Sequence, residues 1–180
     1  MAETLKPCSR GTSASETRQE FFPFWQSQKN GVFKVDTDGD FKDGKGNFGV
    51  IIRDSSRLSL ATCFGSVFVS SALQAKTFVV KQGVVLASLV ILAKLAGTER
   101  CVTETDCQTR SGEDSDFSAD ISLLVKDIFF AIVGLDFSLN FINRNCNNTA
   151  HKLAQRGFVD RGLFPFDCPD WINLEQTNPI

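Results

Sequence analysis

The sequence has a single histidine, no strong excess of charge and no long apolar run, and each of these shortages excludes a class of protein. Because His151 is the only histidine, a metal centre built from several histidines is excluded. Any nucleophile paired with a histidine would also have to use this residue. The net charge of −2 and the isoelectric point near 5.4 give no global attraction for nucleic acid, so such a partner would need a local basic patch.

The chain also lacks CxxC spacing among its six cysteines and lacks a cationic-then-apolar signal sequence at its start. These absences predict reduced thiols and an intracellular protein, cytoplasmic or nuclear and not secreted, rather than a disulfide framework or a zinc site. The longest apolar run, residues 84–93, is shorter than the roughly 18 residues that a membrane span needs. We therefore expect a buried helix there and no membrane contact.

The 180 residues, 42% hydrophobic and 22% charged, suffice for one globular domain that buries a core. Residues 1–30 show too little apolar periodicity to assign an element, so we predict a poorly ordered tail or linker. The predicted domain covers residues 31–158, followed by a C-terminal tail at 159–180. We expect a monomer.

The stretch KVDTDGDF at residues 34–41 places Asp36, Asp38 and Asp40 at every second position. On a strand, this period of two points the three aspartates to the same side. A calcium loop beginning at Asp36 is disfavoured, because an EF-hand requires glycine and glutamate where this chain has Phe41 and Asn47. A polar strand running into an Asp-Gly turn and the first strand of a metal-dependent active site remain as alternatives.

Hydrophobic periodicity predicts the order βββαβαβα. We expect an α/β fold with a five-stranded mixed sheet and helices packed on its faces. The long helix is apolar almost all round after Gly83, which predicts that it is largely buried. Asn147 and Asn148 are predicted to cap the last helix. The predicted strands are residues 32–37, 48–53, 58–64, 100–106 and 135–141, and the predicted helices are residues 72–95, 118–132 and 147–156.

Five segments follow one another along the chain: KVDTDGDF (34–41), GNFGVIIRDS (46–55), SALQAK (71–76), VTETDCQT (102–109) and NRNCNNTAHKLAQRG (143–157). Taken in this order, they resemble the ribonuclease H type 1 superfamily. The resemblance is closest to its divergent plant branch, found alone or at the end of retroelement reverse-transcriptase chains. In addition, FPFDCPDWINL at 164–174 looks like the short tail that ends that branch. The resemblance implies a hydrolase, an endonuclease that cuts the RNA strand of an RNA–DNA hybrid with two Mg²⁺ (or Mn²⁺) ions held by four acidic residues.

Carried onto this sequence, the resemblance places metal-binding acids at Asp38 and Asp106. The second acidic position holds Lys76, where the family has glutamate, so one carboxylate is replaced by an ammonium. We expect Lys76 to compete with a metal for Asp38 and Asp106, unless the helix register turns it to solvent. The fourth position holds His151, where the plant branch commonly has histidine. His151 is therefore either a weak metal ligand or proton-transfer group, or an ordinary surface residue.

These residues leave three hypotheses. The first is a magnesium-dependent hybrid ribonuclease whose catalytic set is Asp38, Lys76, Asp106 and His151, with hydrolysis weakened by the lysine. The second is a catalytically inactive nucleic-acid-binding module, and the third is a protein-interaction module derived from a mobile element. The candidate contacts to a nucleic-acid backbone form no compact cluster; they are Lys34, Lys42, Lys45, Arg53 and Lys152.

Overall fold

The computed structural model describes residues 29–93, 100–106, 119–166 and 168–174. The predicted N-terminal tail up to residue 28 and the polar loop at 110–116 lie outside the described residues. The final residues, 175–180, also lie outside them.

A mixed sheet forms the centre of the fold, with strand order β5-β4-β1-β2-β3-β6. The first three strands form an antiparallel meander, and β4 and β5 lie parallel beside β1. The predicted α/β class and the five predicted strands are confirmed, and β6 adds a sixth strand antiparallel to β3. The strands are β1 (Val32–Lys42), β2 (Lys45–Arg53), β3 (Ser59–Phe68), β4 (Arg100–Thr105), β5 (Asp136–Phe141) and β6 (Gly162–Pro165).

Helices cover both faces of this sheet, as the alternating pattern predicts. On one face α1 (Ala72–Ala93) packs against the sheet and α2 (Ala119–Ala131) packs against α1. On the other face lie α3 (Asn148–Arg156), preceded by a 3₁₀ turn at Arg144–Asn147, and the short α4 (Asp170–Leu174).

The first face holds the larger core, in which α1 approaches β1 closely. A Cβ atom at Gly83 would lie 2.8 Å from Cγ2 of Thr37 and 3.1 Å from Cγ1 of Val35, so a side chain there would push the helix off the sheet. The expected burial of α1 holds for this side only, since Leu89 and Leu92 are exposed on the other. By length and hydropathy α1 could cross a membrane, but half of that span is buried within the domain, as in a core helix of a soluble fold.

The second face holds a smaller core that includes residues beyond 158. Ile172 of α4 is fully buried beside Ile51 of β2 and Leu153 of α3. Trp171 meets Phe64 of β3 edge-on, with ring centroids 6.0 Å apart. The segment for which we predicted only a tail therefore contributes a strand and a helix to the packing, whereas the domain boundaries at 30 and 158 remain a prediction.

Candidate functional site

Two rows of paired carboxylates follow one another along β1 and β4. Asp36 lies opposite Glu104 in the parallel pairing of these strands. Two residues further along lie Asp38 on β1 and Asp106 directly after β4. They fall on the same side as the first pair because side chains alternate along a strand. Asp36 and Glu104 form the inner row, and Asp38 and Asp106 form the outer row at the end of β4. The aspartates of β1 share one orientation, as predicted.

The inner row is buried and neutralised by two cations. Nε of Arg53 donates to Asp36 at 3.1 Å, and Nζ of Lys34 lies 2.7 Å from Glu104. Burial raises the pKa of Glu104, and the hydrogen bond and charge of Lys34 oppose that rise. Considering Lys34 and Arg53 as nucleic-acid contacts was therefore wrong, because at 2% and 4% exposure they are buried against these carboxylates and do not face solvent.

The outer row brings together all four residues that the sequence analysis singled out. Nζ of Lys76 lies 3.0 Å from Oδ1 of Asp106 and 3.7 Å from Oδ1 of Asp38. Nδ1 of His151 lies 2.7 Å from Oδ2 of Asp38. The predicted ion pair of Lys76 with both aspartates is confirmed, and its alternative, a lysine turned to solvent, is wrong.

The surroundings of Asp38 raise the pKa of its carboxyl group. Burial raises its pKa above the ordinary value of 3.8, and the neighbouring charge of Asp106 raises it further. The hydrogen bond from His151 and the charge of Lys76 lower it, without cancelling the rise. The two cationic or hydrogen-bonding neighbours thus offset only part of the cost of burying this carboxylate.

The position of His151 is fixed by contacts that hold α3 on the sheet. Nδ2 of Asn147 donates to the backbone oxygen of Thr37 at 2.8 Å, one residue before Asp38. At the other end of the helix, Nδ2 of Asn47 donates to the backbone oxygen of Ala154 at 2.6 Å. Asn147 is the N-cap residue of α3, as predicted, but its side chain makes no cap hydrogen bond and instead donates from Nδ2 to β1.

Glycine at position 49 lets α3 lie directly on β2. A Cβ atom there would be 2.4 Å from both the backbone oxygen of Ala150 and the backbone nitrogen of Ala154. Real Cβ contacts are never that short with backbone atoms, so any other residue at this position would lift the helix. His151 lies on the helical turn that this contact holds.

Two neighbours of His151 were missed from the sequence. Nε2 of Gln155 lies 3.0 Å from Nε2 of His151, and Nη2 of Arg144 lies 3.1 Å from its Nδ1. Gln155 follows His151 by four residues on a predicted helix, so the spacing was a usable signal. Arg144 precedes the helix in an irregular turn, where sequence spacing gives no direction for the side chain.

The described donors do not fit a two-metal centre. Among the residues that the structure describes, no group of three or more histidine, cysteine, aspartate or glutamate side chains is arranged to hold a metal ion. Asp38 and Asp106 are the two carboxylates of the outer row, and an ammonium lies between them. Magnesium in such sites is held by one or two carboxylates together with waters and substrate phosphates, so the feature that does not fit here is the ammonium of Lys76 beside both carboxylates.

The sheet order, the paired carboxylates on the two central parallel strands, and the helix α3 that brings His151 to Asp38 define a domain of the ribonuclease H-like fold. Within that class, the family model described as reverse transcriptase-like matches residues 36–157. The chain belongs to this family.

Solved structures of ribonucleases H superpose on most of the domain. Ribonuclease H1 of the halophilic archaeon Halobacterium salinarum is 15% identical, with a TM-score of 0.56 over 71% of this chain and 97% of that one. The N-terminal ribonuclease H domain of a Mycobacterium tuberculosis protein is 16% identical, with a TM-score of 0.56 over 70% and 92%. LC11-RNase H1, solved in complex with an RNA/DNA hybrid, is 12% identical, with a TM-score of 0.57 over 69% and 94%.

No curated protein sequence matches the chain significantly. At 12 to 16% identity, the structural likeness establishes the fold and leaves the activity to be argued from the site.

Proposed function

We propose that this chain is a nucleic-acid-acting domain that binds RNA–DNA hybrids and in which two-metal hydrolysis is suppressed by Lys76. Membership of the family and the hybrid bound to LC11-RNase H1 support the substrate class. The observation that carries the proposal is the ammonium of Lys76 beside both Asp106 and Asp38.

Lys76 and a divalent cation would compete for the same carboxylate oxygens of Asp38 and Asp106. Replacing a carboxylate by an ammonium changes the local charge by two units, and the carboxylates that would attract a divalent cation already have a cationic partner. A magnesium ion would have to displace Lys76 and then remain beside its charge, in a site where Asp38 is 2% exposed and little water screens the repulsion. Metal binding and the hydrolysis that depends on it are therefore disfavoured.

The remaining residues still form an ordered polar site. Asp38 holds the imidazole of His151 by its Nδ1 atom, and Gln155 contacts the other ring nitrogen. Lys76, with about a quarter of its side chain exposed, presents positive charge at the solvent side of the two aspartates. An ammonium in this place adds positive charge for a phosphate but supplies no metal-activated water, which two-metal hydrolysis of a phosphodiester requires.

Cleavage of a labelled RNA–DNA hybrid in Mg²⁺ and in Mn²⁺ tests the proposal with three proteins: the natural chain, Lys76→Glu, and Lys76→Glu with Asp38→Asn. We expect the natural chain to bind the hybrid and to cleave it weakly or not at all. Lys76→Glu should gain cleavage, because it restores the third carboxylate, and Asp38→Asn should abolish that gain.

Two outcomes would contradict this account. Efficient cleavage by the natural chain would mean that Lys76 leaves the aspartates when substrate binds. If all three folded proteins fail to bind the hybrid, the nucleic-acid function is wrong, and the protein-interaction module derived from a mobile element takes its place.

We further propose that the protein acts as an intracellular monomer without membrane attachment. Cys63 and Cys101 are buried thiols, and burial raises the pKa of Cys63 to about 12, so its thiol is inert. Sedimentation analysis would test the monomer, and imaging of a fluorescently tagged chain in plant cells would test the location.

A further inference from the structure

A groove of about 370 Å³ lies between α3 and α4, on the sheet face that carries His151. Thr149, Lys152, Gln155 and Arg156 line it from α3, and Trp171 and Ile172 line it from α4. Two of these side chains are cationic and no lining residue is acidic, in a protein whose net charge is −2. The groove is thus a local positive surface on a slightly acidic molecule.

Arg156 is the most distinctive group in this groove. Its guanidinium carbon lies over the indole ring of Trp171, 4.2 Å from the ring centroid. Within residues 29–93, 100–106, 119–166 and 168–174, no carboxylate forms an ion pair with Arg156, which distinguishes it from the paired Lys34 and Arg53. A guanidinium held over an aromatic ring keeps N–H groups available for an anion and loses less side-chain freedom when it binds one.

The groove is continuous with the site described above. Gln155 lines the groove and also contacts Nε2 of His151 at 3.0 Å. Lys152 follows His151 directly and lies one helical turn before Arg156 on the groove side of α3. At a rise of about 1.5 Å per residue, the four residues from Lys152 to Arg156 span roughly 6 Å along α3. This distance is close to the spacing of phosphates along an extended strand.

We propose that this groove binds the phosphodiester backbone of a nucleic-acid strand that extends from the Asp38–His151 site. Arg156 contacts a phosphate, Lys152 adds positive charge one turn nearer the site, and Trp171 is a positioning residue that holds the guanidinium. The inference rests on the proposed function and deepens it, because it names where the strand leaves the site. Charge complementarity favours a phosphate backbone over an apolar occupant.

Anisotropy titrations of a labelled RNA–DNA hybrid over a series of KCl concentrations test this proposal. We expect Arg156→Gln to weaken binding on the order of three- to tenfold for any sequence and to reduce the slope of log affinity against log salt by about one. Lys126→Gln is the matched control, because it removes the same charge from exposed α2 on the opposite face. Circular dichroism and urea unfolding establish that each variant is folded.

The role of Trp171 is tested separately, by the affinity and the salt slope of two variants at this position. Trp171→Leu should weaken hybrid binding while leaving the salt slope near that of the natural chain, because Arg156 keeps its charge but loses its platform. Trp171→Phe, which retains a ring, should recover most of the affinity. A purely structural role would instead lower the stability of both variants without separating their affinities.

A second probe separates failure of the groove from failure of the proposed function. Trp25→Phe leaves Trp171 as the only tryptophan, so its fluorescence reports on sodium tripolyphosphate or hybrid added to the chain. Hybrid binding that is unchanged in Arg156→Gln would overturn the groove while the proposed function stands. Tripolyphosphate binding that depends on Arg156, with no hybrid binding, would overturn the nucleic-acid occupant together with the proposed function, and so would binding of neither probe.

Discussion

Lys76 acts at the scale of one residue, since a single ammonium lies within 3.7 Å of two carboxylates that would otherwise repel each other. Lys76→Glu would place three carboxylates together and, without metal, should destabilise the fold by about 1–3 kcal/mol, a range reduced for the partial exposure of the lysine. Urea unfolding in EDTA would measure this loss. Adding Mg²⁺ or Mn²⁺ should raise the midpoint of Lys76→Glu and not that of the natural chain.

Lys76→Met is the control for that measurement. It removes the ammonium without adding a carboxylate, so it should be destabilised and should respond to metal more weakly than Lys76→Glu. A metal-dependent midpoint in the natural chain would show that the lysine does not block the site.

The raised pKa of Asp38 predicts a pH dependence that belongs to this residue. Because its folded-state pKa lies above 3.8, the folded protein keeps this proton over a pH range in which the unfolded chain has lost it. The stabilising contribution of Asp38 is therefore complete below about pH 3.8 and is lost as the pH rises through the folded-state pKa. Urea unfolding from pH 3 to 7 should show the natural chain losing stability relative to Asp38→Asn as the pH rises; a relative gain would mean that His151 and Lys76 outweigh burial.

At the scale of elements, α3 is held where its histidine can meet a strand 113 residues away in sequence. Asn147→Ala would leave the buried carbonyl of Thr37 without this donor and should cost about 1–3 kcal/mol. The substitution should also loosen the contact between His151 and Asp38, because Asn147 and His151 lie one helical turn apart. Since His151 is the only histidine, a single imidazole signal in NMR spectra reports this change directly.

Asn145→Ala, at an exposed position in the preceding 3₁₀ turn, provides the comparison. It should leave the imidazole signal nearly unchanged. An equal shift in both variants would mean that the turn as a whole, and not the buried amide of Asn147, positions the histidine.

Sequence periodicity was sufficient for the longer elements and insufficient for their side-chain partners. The alternation of apolar and polar residues predicted β1, although residues 33–39 are buried on both sides of the strand, and the helical spacing predicted α2. The partner of Asn147 is a backbone oxygen 110 residues away, and no local pattern encodes it. The strand β6 is four residues long and ends at Pro165, which is too short for an alternating signal.

The ion pairs of Lys76 were predicted from the sequence, whereas those of Lys34 and Arg53 were not. Lys76 was expected to pair because the family resemblance placed it against two aspartates. Lys34 and Arg53 were considered candidate contacts to a nucleic-acid backbone because their partners, Glu104 and Asp36, lie on β4 and β1, and only the tertiary structure brings each pair together.

At the scale of the whole molecule, the central strands carry two successive charge rows with different access to water. The inner row is closed, with all four of its groups at most 7% exposed. The outer row opens at Lys76 and His151, whose side chains are 26% and 21% exposed. Of the two rows, only the outer one is therefore open to a ligand, while the ion pairs of the inner row join β1 to β2 and β4.

Whether residues beyond 158 are a tail or a part of this domain can be decided by stability. Ile172 is 1% exposed between Ile51 and Leu153, so Ile172→Ala should cost about 2–5 kcal/mol in urea unfolding through lost burial and the cavity left behind. Leu163→Ala, at a position 62% exposed on β6, should cost little. If Ile172→Ala costs no more than Leu163→Ala, the boundary predicted at 158 is right; a large difference makes α4 part of the second core, and a chain ending at residue 158 should then expose Phe64 and unfold at lower urea.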